Sequence, residues 1–374
     1  MRDLLSRRAA VLLGLIGLVL LLAVAAGTPA QAQLDPSRTV PPEALAGGSV
    51  PGNTLGSSSD ADFWRAVRTG DQGYVSIPNK QAGVLVQSYG ESWREFRNAL
   101  LKVYGAWALL GMVGLLALFF LLRGRVRIQA GRSGRRIVRF DGLDRFAHWV
   151  TASSFVILAL TGMNVLWGRY LLLPLIGPDV FSAITIAGKY AHNFVAFPFM
   201  IGLALMLVLW VGHNIPNRYD LGWLLRGGGL FSKHSHPHAK KFNAGQKILF
   251  WIVILGGISI SLSGIALMFP FETHLWGKTL GFAADLGLDV PTDITPMMEM
   301  QLNSIWHAVV AVALIAVILG HIYIGTIGME GAFEAMGSGR VDENWAKEHH
   351  DLWVAELRDR AGERPVRRRP QPAE

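Results

Sequence analysis

The sequence predicts an all-α membrane protein, and three observations lead there. Hydrophobic residues fill 51% of the 374 positions and charged residues only 17%, with a mean hydropathy of +0.34. Several apolar runs approach the roughly twenty residues that cross a bilayer as a helix. The formal charge of +8 is gathered in particular loops, which in such a chain is a topology signal and does not point to nucleic acid.

The elements follow in order. Residues 1–32 read as a cleavable signal segment: Arg2, Arg7 and Arg8, an apolar stretch from Ala9 to about Gly27, then Ala30-Gln31-Ala32 before Gln33. The apolar stretch is longer than a usual signal core, so an uncleaved anchor is the alternative. Residues 33–103 are polar and read as an exported, periplasmic arm, with short extended pieces around Phe63-Trp64 and Tyr74–Pro78. Residues 104–122 form an anchor span without histidine. A basic cytoplasmic loop, 123–146, follows it with Arg123, Arg125, Arg127, Arg132, Arg135, Arg136 and Arg139.

Four more spans are expected at about 147–167, 190–211, 247–269 and 304–327, within a four-helix domain covering 147–328. A cytoplasmic tail, 329–374, closes the chain. The loop between the second and third of these four spans carries Arg218, Arg226, Lys233, Lys240 and Lys241. The opposite loops, around 174–189 and 271–301, carry acids instead: Asp179, Glu272, Asp285, Asp289 and Asp293. This bias puts the C-terminus in the cytoplasm of a multi-pass protein of the bacterial inner membrane.

The sequence has no cysteine. Disulfides, thiolate-held iron–sulfur clusters, covalently attached c-type haem and cysteine ligation of molybdenum or tungsten are therefore excluded. A redox metal must be held by His or Met.

Four histidines sit inside the apolar spans: His148, His192, His307 and His321. A histidine in hydrocarbon is a functional hypothesis by default. His307 and His321 share one span, 14 residues apart, which on a helix is a rise of roughly 21 Å with side chains about 40° apart around the axis. The alternating direction of the spans then pairs His192 with His307 near the outer face and His148 with His321 near the inner face. Two bis-histidine haem b groups stacked across the membrane fit this pattern. A single histidine at a span end is ordinarily an interfacial or packing residue, and the depth matching of four separates this set from that case. His213 competes for an inner-layer role but reads as a surface residue beside a basic loop.

Other features have plainer readings beside the chemical ones. Gly162, Gly264, Gly320, Gly325 and Gly328 leave room for a flat cofactor, and small residues also let helices pack without one. Arg145 and Lys189, one turn from His148 and His192, are either haem-propionate partners or interfacial charges. The run Lys233-His234-Ser235-His236-Pro237-His238 is read as a solvated loop rather than a metal site. His274, in an exported loop, reads as a surface residue. Asp220, Glu330, Glu334 and Glu348 are acids that could relay protons.

Particular stretches carry a resemblance. These are Asp144-Arg145-Phe146-Ala147-His148-Trp149, Lys189-Tyr190-Ala191-His192-Asn193-Phe194 and Lys241-Phe242-Asn243-Ala244-Gly245-Gln246-Lys247. The strongest runs from Trp306-His307 through Gly320-His321-Ile322-Tyr323-Ile324-Gly325 to Asn344-Trp345-Ala346-Lys347-Glu348-His349-His350. Over roughly residues 60–360 the chain resembles the gamma subunit of membrane-bound formate dehydrogenase in its longer bacterial form. The resemblance implies a four-helix transmembrane cytochrome b bundle with an additional N-terminal anchor. It implies two haem b groups on His148, His192, His307 and His321, and a quinone site by the inner haem at Asn243 and Gly245, with Gln246 adjacent. It also implies electron transfer from an iron–sulfur (beta) subunit to quinone, with the formate site on a molybdopterin- or tungsten-containing catalytic (alpha) subunit. Asn243 also reads as a helix N-cap, and Asn can serve both purposes. Alternatives are the cytochrome b subunit of another respiratory complex such as nickel–iron hydrogenase, against which the stretch after His321 argues, and a haem-free membrane anchor or transporter.

Overall fold

The computed structural model describes residues 90–232 and 235–362. The signal segment and the arm up to residue 89 lie outside the described residues, as do Lys233 and His234. Five helices among the described residues are long and apolar enough to cross a membrane. The chain is an all-α, multi-pass membrane protein.

Helix α1 spans Gly90–Arg123, with a π-helical stretch at Phe96–Leu101. Residues 90–103, expected in the arm, are thus the first turns of the anchor. The helix stops where Gly124 takes a φ of 67°, a conformation that costs glycine little. A short strand, β1 (Arg136–Val138), precedes α2 (Gly142–Leu171). Asp141 and Asp144 close a reciprocal capping box at the start of α2, so the backbone N–H groups there are satisfied before the chain enters the apolar layer.

Helix α3 runs Leu173–Trp210, and here the structure corrects an expectation. The stretch 174–189 is helical rather than a loop, interrupted only at Gly177 (φ 75°) ahead of Pro178. Beyond that pair the residues Val180–Ala187 carry no charge, no Gly and no Pro, so no helix breaker stops the helix. The polar connection that follows holds α4 (Arg218–Leu225) and leads into α5 (Ala244–Met268), each opened by its own capping box, Asn217–Asp220 and Asn243–Gln246. Lys247 lies buried between α4 and α5, with Nζ 2.8 and 3.1 Å from the Asp220 carboxylate and 3.0 Å from the Ile215 carbonyl.

Helix α6 (Leu275–Asp285) lies at the opposite end and leads to α7 (Pro296–Tyr323), which a π-helical turn extends to Gly328. Buried Glu299 on α7 accepts from the backbone N–H groups of Trp276 and Gly277 at 2.8 and 2.9 Å, anchoring the first turn of α6. Indole hydrogen bonds tie α1 to the bundle. Trp93 Nε1 donates to Ser304 Oγ at 2.9 Å, and Trp167 Nε1 donates to the Lys102 carbonyl at 3.0 Å.

The basic loop and the tail, expected as separate polar segments, fold together. After α7 come α8 (Glu334–Gly337), β2 (Arg340–Asp342), α9 (Glu343–His349) and α10 (Asp351–Arg360). Strand β2 pairs antiparallel with β1, Ile137 opposite Val341. Phe140, Val341, Trp345, Trp353 and Val354 form the buried centre of this layer, here called the tail face. Around it Arg132 pairs with Glu330 and Glu334 at 3.3 and 2.7 Å, and Glu343 pairs with Lys347 and Arg358 at 2.9 and 2.8 Å.

Candidate functional site

Helix α7 supplies His307 and His321, α2 supplies His148 and α3 supplies His192. The fold brings these into two pairs. The rings of His148 and His321 have centroids 6.1 Å apart, and those of His192 and His307 lie 6.2 Å apart. Two imidazoles hydrogen-bonded directly to each other would sit closer than this. An atom held by one nitrogen of each ring at about 2.0–2.1 Å puts the ring centres roughly 6 Å apart, which is the separation seen in both pairs. Among the described residues no three His, Cys, Asp or Glu gather in a metal-holding group. Facing pairs without further ligands suit an iron whose remaining positions a macrocycle fills.

In the far pair, second partners select the nitrogen that faces the gap. His192 Nδ1 is 2.8 Å from Thr161 Oγ1, and His307 Nδ1 is 3.0 Å from Ser263 Oγ. Each hydroxyl already donates its one proton to a backbone carbonyl of its own helix, Ile157 at 2.8 Å for Thr161 and Ile260 at 3.0 Å for Ser263. The imidazoles must therefore donate from Nδ1, which leaves the Nε2 lone pair free to ligate. A Cβ added at Gly264 would lie 3.3 Å from His307 Cε1, and one at Gly162 would lie 3.6 Å from His192 Cε1. Glycine at these two positions keeps the ring edges clear.

The tail-side pair borders a cavity of ≈ 1240 Å³. That exceeds the roughly 300–1,000 Å³ of an ordinary small-molecule pocket, so there is space for more than one ligand. His148 Nδ1 is buried without a hydrogen-bond partner. Asn243, Gly245 and Gln246 line the same cavity. The Asn243 side-chain oxygen accepts from Gln246 N at 2.9 Å, and Gln246 Oε1 accepts from Asn243 N at 3.1 Å. The capping role is therefore real, and it leaves the Asn243 amide N–H groups without a protein acceptor among the described residues. At Gly245 an added Cβ would meet the Trp223 ring at 2.8 Å.

Several sequence expectations change. Arg145 donates to the carbonyls of Met336 and Gly337 and is not part of the wall of this cavity. Lys189 is exposed and bonded to Asn193 Oδ1 at 3.2 Å. Asp220 pairs with Lys247, Glu330 and Glu334 pair with Arg132, and Glu348 accepts from the backbone N–H of Gln129 and Ala130. Each of these four acids thus has a structural partner among the described residues. His213 is exposed and stacked on Phe242, in keeping with its surface reading. The His-rich loop docks on the tail: His236 packs against the His349 ring, and His238 pairs with Asp351. Sequence reasoning missed Arg139, Tyr323, Trp345 and His349 in the cavity wall. Three come from segments read as solvated, and the resemblance stretch that contains Tyr323, Trp345 and His349 gives none of them a role.

Residues 139–339 match the family model of prokaryotic cytochrome b561. The chain is 27% identical over 225 residues to the cytochrome b556(Fdn) subunit of the nitrate-inducible formate dehydrogenase of Escherichia coli (strain K12), covering 60% of this chain and 92% of that one. It is 29% identical over 223 residues to the cytochrome b556(fdo) subunit of formate dehydrogenase of the same organism, covering 59% and 93%. A formate dehydrogenase cytochrome b556 subunit of Haemophilus influenzae is 25% identical over 229 residues, covering 59% of this chain and 83% of that one. The matched stretch is more than half of the chain and carries all four paired histidines, a donor set suited to haem b, so the chain belongs to the prokaryotic cytochrome b561 family.

Proposed function

We propose that this chain is the membrane cytochrome b subunit of a formate dehydrogenase, holding two b haems and reducing quinone. The observation that carries the reading is the pair of facing imidazoles at 6.1 and 6.2 Å in two layers. His192 and His307 would hold one haem and His148 and His321 the other. When bound, haem b supplies reversible one-electron transfer, which here would link an iron–sulfur subunit to quinone.

The chain's own residues supply position and access. Thr161 and Ser263 fix the far-side imidazoles in the ligating tautomer. Asn243 offers amide donors to a quinone carbonyl, and Gly245 with Gln246 shapes the approach beside it. Formate oxidation would belong to a molybdopterin- or tungsten-containing partner, since this chain has no cysteine. The inner membrane, a cytoplasmic tail face, and a signal segment followed by a periplasmic arm complete the proposal, on the Lys/Arg bias of the loops. A hydrogenase cytochrome b is less favoured, because the relatives described above are formate dehydrogenase subunits.

Reduced-minus-oxidised spectra of membranes carrying the chain test the reading. His307→Ala and His321→Ala should each remove one b-type component and leave the other. Two intact components in either variant would refute the pairing.

A further inference from the structure

Arg139 lies just ahead of α2 and is 3% exposed. Its guanidinium sits among the rings of Phe140, Trp345 and Trp353, at 5.4, 5.0 and 5.7 Å. Nη2 donates to the Lys241 carbonyl at 2.7 Å and to Gln246 Oε1 at 3.3 Å. Nε and Nη1 are buried without any acceptor. Among the described residues no carboxylate comes within ion-pair distance. The contrast is Lys247, equally buried, which has Asp220 at 2.8 Å.

Aromatic faces attract a cation but carry no net charge. A buried ion without a counter-charge is strongly unfavourable, so the fold implies an anion that the described residues do not provide. Arg139 forms part of the wall of the cavity that holds His148 and His321. Among its described lining residues are Arg123, Arg127 and a single carboxylate, Glu348. Glu348 is already taken by the backbone N–H groups of Gln129 and Ala130, at 3.0 and 2.8 Å. The wall is therefore electropositive. His148 is six residues into α2 from Gly142, a rise of roughly 9 Å, and Arg139 precedes that start, which places its charge on the tail side of the imidazole layer. Burial pushes the guanidinium down to about 9, which leaves it charged at neutral pH.

We propose that Arg139 is the counter-charge for a propionate carboxylate of the haem held by His148 and His321. This rests on the haem reading above. It takes the place of Arg145, which bonds the carbonyls of Met336 and Gly337 and is not part of the cavity wall. A fixed positive charge in a poorly screened interior favours the state that has gained an electron. Arg139 is thus also a determinant of the potential of this layer.

Redox titration of membranes carrying the full chain tests the proposal. In Arg139→Gln the haem that His321→Ala removes should become harder to reduce by about tenfold, which is ~59 mV for a one-electron couple. Arg139→Lys should recover most of that shift. Unchanged potentials in Arg139→Gln overturn the proposal, and so does a change confined to quinone kinetics, which would assign the cation to quinone. A second arm leaves the protein unaltered: the wild-type chain is loaded with haem dimethyl ester, which has no free carboxylate. Retention in the tail-side layer should fall about tenfold or more, and retention equal to that of ordinary haem overturns the proposal. If His148→Ala and His321→Ala both keep every b-type band, the haem reading itself falls and takes this proposal with it. That result is obtained without touching Arg139, so the two failures are distinguishable.

Discussion

Replacing Thr161 by Val tests whether the far-side histidines are set up as ligands. The substitution keeps the volume and shape of the side chain and deletes one hydroxyl. That hydroxyl accepts from His192 Nδ1 at 2.8 Å while it donates to the Ile157 carbonyl. The carbonyl loses little, because it remains within the helical ladder. The imidazole loses one of the acceptors that fix its tautomer and keeps the Leu158 carbonyl. Removing such a partner from a ligating histidine typically weakens metal affinity about 10–100-fold, or about 1.4–2.8 kcal/mol. The assay is haem transfer from detergent-solubilised protein to an excess of a haem-scavenging apoprotein, followed optically. The b-type component that His307→Ala removes should leave about 10–100-fold more readily in Thr161→Val, and the other should not change. Thr279→Val serves as a control, since that hydroxyl bonds only to the Leu275 carbonyl on α6 at 2.7 Å. Equal retention in Thr161→Val and wild type would refute the tautomer argument, and equal loss from both layers would refute its assignment to one layer.

Three further outcomes are expected. Lys247→Met leaves the Asp220 carboxylate without its cation between α4 and α5, and should destabilise the detergent-solubilised protein by about 3 kcal/mol; a loss under about 1 kcal/mol in thermal unfolding would show the pair to be idle. The tail layer should loosen in mild acid: burial first, then the charges of His236 and Arg139, holds His349 down to about 4 from an ordinary 6.5, so the undocked tail binds more protons between those values. Docking is then fully stable above about pH 6.5 and loses about 1.4 kcal/mol per pH unit below it, with buried His350 shifted in the same direction. Limited proteolysis within residues 343–360 should be flat from neutral to alkaline pH and rise below 6.5; protection unchanged down to pH 4.5 would contradict this. Asn243→Ala should slow quinone reduction with normal haem spectra and cost about 1 kcal/mol of stability through the lost cap, whereas Asn243→Ser should restore the cap alone. Full recovery of quinone kinetics in the serine variant would remove Asn243 from the pocket.

What could be read from the sequence follows from the range over which each signal acts. Hydropathy is local, so the five spans were legible, and a 14-residue separation on one helix is enough to place His307 and His321 in two layers. Helix ends were less legible. The apolar residues after Gly177-Pro178 read as loop because the acid Asp179 and the flanking turn formers outweighed a continuing helix. The pairing of β1 with β2 joins Arg136 to Asp342 across some two hundred residues, and nothing in either short segment announces the other. The basic residues of 123–146 read as a topology signal, and they also carry specific partners: Arg132 on Glu330 and Glu334, and Arg135 on Glu343. Charge asymmetry across a membrane and ion pairing within one face use the same arginines, so the first reading conceals the second. The same concealment hid Arg139, which lies in a run of seven arginines and is set apart by its burial, a property that its sequence neighbours do not announce.

The two histidine layers are built by different means, and this bears on how the protein works. The far layer depends on helix against helix: the hydroxyls that orient His192 and His307 sit on α2 and α5, inside the apolar bundle. The tail-side layer gives His148 Nδ1 no such hydroxyl among the described residues. Its surroundings come instead from polar segments folded back onto the bundle, with Arg139 from the strand-bearing loop, Asn243 and Gln246 from the cap of α5, and Trp345 and His349 from α9. A bundle without its folded tail would keep the far pair intact and lose a wall of the cavity beside the other pair. The docked tail is therefore part of the proposed site, and its ion pairs, with Glu343 held below the usual carboxylate range by Lys347 and Arg358, help to keep that wall closed at neutral pH.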